Sequence, residues 1–161
     1  MDIDSAPRKG RDPVMAFELP PAVILAGGLG TRLRSIVSDR PKALAMVAGK
    51  PFLAHQLRWL HANGVSSATL CVGHKGEQIV EELGERSSLG LRLTYSWEHT
   101  PLGTGGALAQ AAHLLPSEFL VINGDTYTDL PLRPLWEAHG DYGATATLAV
   151  TSAPDSSAVG G

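Results

Sequence analysis

Ala22-Val23-Ile24-Leu25-Ala26-Gly27-Gly28-Leu29-Gly30-Thr31-Arg32-Leu33, followed by Pro41-Lys42, decides how this chain folds. The apolar run over 22–26 is that of a parallel strand buried on both faces. Three glycines lie directly behind it, where the absence of a Cβ lets backbone N–H groups close on an anion. Arg32 adds a planar donor fork suited to phosphate oxygens, and Lys42 a compact second charge. A backbone cradle with two cations suits a nucleoside triphosphate. The spacing excludes two other phosphate loops. Counting Gly-x-Gly-x-x-Gly from Gly28 and Gly30 ends on Leu33, and from Gly103 and Gly105 on Leu108. No Gly-x-x-x-x-Gly-Lys-Ser/Thr string occurs. On the glycines alone, an ordinary α/β turn remains an equal reading.

The chain has 161 residues, enough for one domain that buries roughly two-thirds of its unfolded surface. Its net charge of −3 gives no basic field for nucleic acid. No apolar run approaches the ~18 residues of a membrane span. The single Cys71 sits between Leu70 and Val72, the setting of a small buried hydrophobe, and cannot form an internal disulfide. Residues 1–19 are polar, carry Pro7 and Pro13, lack a signal-peptide core and are expected to form a loose tail. The expected domain covers 20–161, and the expected location is the cytoplasm.

Beyond the first strand, strand-like and helix-like segments alternate. Phe52, Leu53, Leu57 and Leu60 recur at helical spacing, with Pro51 at the start and Asn63-Gly64 as a stop. Strands are expected over 68–72, 91–95, 119–122 (buried) and 144–150, and helices over 77–83 and 105–115. This order predicts an α/β, three-layer, Rossmann-like and mostly parallel sheet. Ligands of such sheets bind beyond the carboxyl ends of the strands, where Gly27, Gly73 and Gly124 all fall.

Asn123-Gly124-Asp125 closes one of these strands. Mg2+ takes oxygen ligands, commonly one or two carboxylates together with phosphate oxygens, and Asp125 is the first choice for that role. Asp129 is the alternative, although Thr128-Asp129-Leu130-Pro131 suits a turn. Pro101-Leu102-Gly103-Thr104-Gly105-Gly106-Ala107 enters a helix whose N–H groups could face a phosphate, sugar or base. The simpler reading there is a tight joint with Thr104 as N-cap. Glu98 either binds a sugar hydroxyl or stays solvated. None of the six histidines stands at metal-ligand spacing with another ligand residue. His74, after Val72-Gly73, is the one at the rim, whereas His55, His61, His113 and His139 fall on expected helices. No Ser-His-Asp or Cys-His arrangement supplies a covalent nucleophile.

Together, the 25–33 run, Pro41-Lys42, Gly49-Lys50-Pro51 and Asn123-Gly124-Asp125 resemble the sugar-phosphate nucleotidyltransferase family. The likeness extends from about Pro21 to the end of the chain. It is strongest to the D-glycero-α-D-manno-heptose 1-phosphate guanylyltransferases. That likeness rests on the strings 35–42 and 47–53, Val72-Gly73-His74-Lys75, the 101–107 joint and Asn123-Gly124-Asp125-Thr126-Tyr127.

The resemblance implies that a sugar 1-phosphate oxygen attacks the α-phosphorus of a nucleoside triphosphate, GTP in the heptose enzymes, and expels pyrophosphate. Leu25, Ala26, Gly27, Gly28, Gly30 and Thr31 would cradle the nucleotide. Arg32 would hold the β- and γ-phosphates, and Lys42 would bridge phosphate oxygens in the transition state. Asp125 would bind Mg2+. Gly73, His74, Leu102, Gly103 and Thr104 would read the base. Where the family commonly has a further proline after Pro41-Lys42, this chain has Ala43-Leu44-Ala45, a loop less restrained in φ. Family members continue well beyond Gly161 and there supply a second metal-binding aspartate, a sugar-phosphate lysine and much of the sugar pocket. The resemblance thus implies a C-terminally truncated nucleotide half, with an open edge that favours homo-oligomers. Three readings stay open: the N-terminal part of a heptose guanylyltransferase, a non-catalytic nucleotide-binding protein, or an enzyme of another pair. Those pairs are GTP with mannose 1-phosphate and dTTP with glucose 1-phosphate.

Overall fold

In the computed structural model, which describes residues 18–28, 40–88 and 90–150, the 22–26 run forms the strand β1 (Ala22–Leu25). It lies inside a four-stranded sheet of order β5-β4-β1-β6, with β4 at Ser67–Val72, β5 at Arg92–Trp97 and β6 at Leu120–Asn123. Every pairing in this sheet is parallel, Ala22 lying opposite Ala68 on one side and Leu120 on the other. Ala22, Val23 and Ile24 are completely buried, which explains why the run is apolar without alternation.

The alternation is spatial. Ala22 and Ile24, with Leu70 and Val72 of β4, face a large core with Leu53, Leu57 and Leu60 of the helix α1 (Phe52–Ala62). Ile79 of α2 (Gly76–Leu83) and Leu132 of α4 (Leu132–Tyr142) join the same core. Val23 and Cys71 point the other way, onto Ala107 and Ala111 of α3 (Gly103–Ala111). Helices on both faces of a parallel sheet give the expected three layers.

α1 ends where the sequence supplies a stop. Gly64, at φ +90°, donates to the His61 carbonyl, and Val65 donates to Leu60. This pair of bonds is the glycine-dependent helix terminus known as a Schellman motif. α3 begins at Gly103 and is followed by a 3-10 turn, Ala112–Leu114, so the expected helix over 105–115 starts earlier and tightens at its end.

Two expectations are corrected, the helix at His139 gains its bounds and one hairpin is added. Residues 144–150 form no strand; Leu148 and Val150 are 82% and 89% exposed, and residues 144–149 line a cleft beside β6 without pairing to it. Period-2 alternation marks a segment able to pair but supplies no partner. β6 is half exposed, Val121 at 45%, because among the described residues it is the sheet's edge. α4 takes up 132–142, where Pro134 falls in the first turn and removes no needed N–H. Finally, β2 (Met46–Val47) and β3 (Lys50–Pro51) form a small antiparallel hairpin. Ala48 and Gly49 turn it with positive φ, the geometry favoured in two-residue hairpins.

Candidate functional site

Four parallel strands end side by side, and three backbone bonds continue one residue past the ends of β1, β5 and β6. Ala26 donates to the Cys71 carbonyl at 2.9 Å, Glu98 to Val72 at 2.8 Å and Gly124 to Leu25 at 2.9 Å. So close an approach leaves no room for side chains. A Cβ on Gly73 would lie 3.0 Å from the Gly27 carbonyl oxygen, and one on Gly124 would lie 2.6 Å from that of Leu25. A Cβ on Gly27 would meet the Glu98 carboxylate at 2.5 Å. The glycines at 27, 73 and 124 therefore serve one rim.

Lys42 and Asp125 meet at this rim. Lys42 opens a 3-10 turn, Lys42–Leu44, whose next two residues, Ala43 and Leu44, are buried. Burial thus restrains the loop that lacks a second proline. Lys42 Nζ donates to Asp125 Oδ2 at 2.8 Å, and Thr126 Oγ1 donates to the other carboxylate oxygen at 3.3 Å. The Lys42 ammonium holds the Asp125 carboxyl below its ordinary value of 3.8, against a smaller opposing effect of partial burial. The carboxylate is therefore ionised at neutral pH and remains 47% exposed.

At Gly27 and Gly73 the rim borders a cleft of about 370 Å3, lined also by His74, Trp97, Glu98 and Pro101, among others. Glu98 Oε2 accepts from the Leu102 amide at 3.3 Å and ties the entry of α3 to the rim. Leu102, Gly103 and Thr104 are exposed at this entry. The N-cap is Leu102 without a side-chain bond, so Thr104 lies inside the first turn and is not the cap.

The structure thus places Leu25, Ala26, Gly27 and Gly28 at the end of β1, and Gly73 and His74 at the end of β4. It joins Lys42 to Asp125 and brings Gly27, Gly73 and His74 to one cleft. Gly30, Thr31 and Arg32 lie outside the described residues, as do residues 1–17 of the expected tail. The turn at 128–130 is closed by Thr128 Oγ1, which accepts from the Leu130 amide at 3.1 Å, so Thr128 rather than Asp129 makes it.

Sequence reasoning left two residues without a firm place here. Glu98 follows β5 just as Gly27 and Gly73 follow their strands, and that position was the available signal. Gln56 gave none, because it occupies a core position on α1.

Among the described residues, no three His, Cys, Asp or Glu side chains gather as a metal cluster. Beside Lys42, the rim offers a hard cation the ionised carboxylate of Asp125. That suits Mg2+ only when phosphate oxygens complete its shell. No helix among the described residues is long and apolar enough to cross a membrane.

A family model described as nucleotidyl transferase matches residues 21–160. A D-glycero-alpha-D-manno-heptose 1-phosphate guanylyltransferase of Aneurinibacillus thermoaerophilus is 42% identical over 130 residues, covering 80% of this chain and 56% of that protein. The mannose-1-phosphate guanylyltransferase catalytic subunit beta of Drosophila pseudoobscura pseudoobscura is 41% identical over 143 residues, covering 86% and 38%. Among solved structures, HddC from Yersinia pseudotuberculosis complexed with GMP-PN superposes with a TM-score of 0.70 at 38% identity, covering 76% of this chain and 55% of that one. The chain thus spans about half the length, or less, of these relatives.

Proposed function

The chain belongs to the nucleotidyl transferase family, and from that premise we propose that its rim binds GTP for transfer to a sugar 1-phosphate. The carrying observation is the contact of Lys42 with Asp125 beside three glycine-lined strand ends. A part-exposed ammonium and an ionised carboxylate beside the end of β6 suit a polyphosphate and its counter-cation.

In the proposed reaction a phosphate oxygen of the sugar 1-phosphate forms a bond to the α-phosphorus. The bond from that phosphorus to the pyrophosphate oxygen breaks. No protein nucleophile is needed, so the work is alignment and neutralisation of charge. The N–H groups at Gly27 and Gly28 face the phosphates, and Lys42 exchanges Asp125 for phosphate oxygens. Arg32 holds the far phosphates. Asp125 is the residue that would hold Mg2+, and bound Mg2+ would supply further neutralisation of phosphate charge.

The base enters the cleft at Gly73, His74 and Glu98, with Leu102, Gly103 and Thr104 at its edge. Guanine presents N–H donors where adenine does not, and the Glu98 carboxylate is an acceptor placed to receive them. The names of the Aneurinibacillus and Drosophila relatives and the nucleotide in the Yersinia structure favour the same base. For the sugar we propose D-glycero-α-D-manno-heptose, after the Aneurinibacillus relative. Mannose is the second reading, favoured by the longer match to the Drosophila subunit. The buried free thiol of Cys71 suits a reducing cytoplasm.

The test offers the purified chain each nucleoside triphosphate with Mg2+ and a panel of sugar 1-phosphates, and follows pyrophosphate release. Release with GTP and heptose 1-phosphate supports the proposal. Binding of GTP without release with any sugar contradicts transfer and leaves a nucleotide-binding protein. Release with another pair reassigns the substrates.

A further inference from the structure

Gln56 occupies a core position of α1, between Leu53 and Leu57, and is 1% exposed. Its amide nitrogen donates to the Asn123 carbonyl at 2.8 Å and to the Thr126 carbonyl at 2.7 Å. The two residues spanned are Gly124 and Asp125. Two carbonyl acceptors at one end of the amide fix which end carries the nitrogen. Its oxygen, Oε1, is buried with no partner among the described residues. Methionine or leucine would fill the space with no orphaned oxygen, so the distinctive contribution of glutamine is its pair of donor hydrogens.

The contact belongs to a row. Trp59 Nε1 donates to the Leu130 carbonyl at 3.2 Å, and Asn63 Oδ1 accepts from the Leu132 amide at 2.9 Å. Residues 56, 59 and 63 share one helix face at spacings of three and four. From that face α1 grips the backbone between β6 and α4 at successive points. Within 123–126, Gly124 is pressed on β1, its amide on the Leu25 carbonyl, while Gln56 holds both flanking carbonyls. Asp125 is left with its carboxylate on Lys42.

We propose that Gln56 is a positioning residue, a donor clamp on two carbonyls that fixes the Asp125 turn against Lys42. Its consequence for nucleotide binding rests on the proposed function; the clamp itself does not.

The test compares Gln56→Met with Trp59→Phe, which removes a similar donor outside the Asp125 turn. In the nucleotide-free protein, amide hydrogen exchange at Gly124 and Thr126 is expected to quicken about tenfold in Gln56→Met and to stay unchanged in Trp59→Phe. The ratio of GTP dissociation constants in EDTA and in Mg2+ is expected to shrink about tenfold in Gln56→Met, with the EDTA value unchanged. In an Asp125→Asn background, Gln56→Met should add nothing. Should Gln56→Met fail to fold, Gln56→Leu carries the same expectations. Unchanged exchange, or equal quickening in both variants, overturns the clamp. Equal weakening of GTP in EDTA and in Mg2+ overturns its link to Asp125. A wild-type protein that binds no GTP sinks the reading of the site, while exchange still decides the clamp.

Discussion

Lys42 Nζ lies 2.8 Å from Asp125 Oδ2, joining two loops 83 residues apart in the chain. Both side chains are more than a third exposed, so the pair contributes at most about 1 kcal/mol to stability. The Asp125 carboxyl is lowered in the folded state, so this contribution is present above the ordinary value of 3.8 and fades as pH falls through the lowered one. Lys42→Ala should therefore melt within about 1 kcal/mol of the wild type at pH 7, with the difference vanishing in acid. On the proposed role of Lys42, Lys42→Ala should lower pyrophosphate release about 100- to 1,000-fold. Thermal melts at the two pH values and a release assay check both halves.

Glu98 occupies the cleft as an acceptor with one oxygen already on the Leu102 amide. Glu98→Gln keeps the shape but gives up the charge. GTP affinity is expected to fall about 10- to 100-fold, that for ATP much less, in side-by-side titrations.

Two rim glycines should respond differently to an added methyl group. At Gly124 the new Cβ meets backbone, the Leu25 oxygen at 2.6 Å, and neither strand end can yield. Gly124→Ala should cost about 1–3 kcal/mol in chemical denaturation. At Gly27 the obstacle is the Glu98 side chain, which can swing aside. Gly27→Ala should stay within about 1 kcal/mol of wild type and weaken GTP binding about tenfold or more, by displacing Glu98.

Cys71 is completely buried in the central strand β4, and burial, then the Glu98 charge, pushes its thiol from 9.0 up to about 11. An unfolded chain ionises this thiol first, so stability is full below about pH 9 and declines toward pH 11. The loss is at most about 3 kcal/mol at 1.4 kcal/mol per unit. Denaturant midpoints across that range should fall, and less so in Cys71→Ala. Native protein should resist alkylation at pH 8.

The sheet was legible wherever a segment is buried on both faces. β1 carries an uninterrupted apolar run, β4 closes on Leu70-Cys71-Val72, and the Asn63-Gly64 stop of α1 is a local backbone requirement. Failures came where the deciding interaction is not local. The alternation over 144–150 marks a capacity to pair, while the partner edge is a property of the whole fold. The helix expected at His139 had no legible start, because Pro134 is tolerated only where it falls in the first turn, as it does in α4. At the site, glycines at strand ends were visible because close approach demands them. Gln56 was not, since a polar residue at a core position announces itself only when its acceptors, 67 and 70 residues away, are in place.

The central claim is that this rim holds a guanine nucleotide by its phosphates and base. Calorimetric titration of GTP and ATP into the purified chain with Mg2+ tests it most directly. The account predicts saturable one-to-one binding of GTP, weaker binding of ATP, and loss of most GTP affinity in Lys42→Ala. Equal binding of the two nucleotides, or GTP affinity untouched by Lys42→Ala, would contradict it.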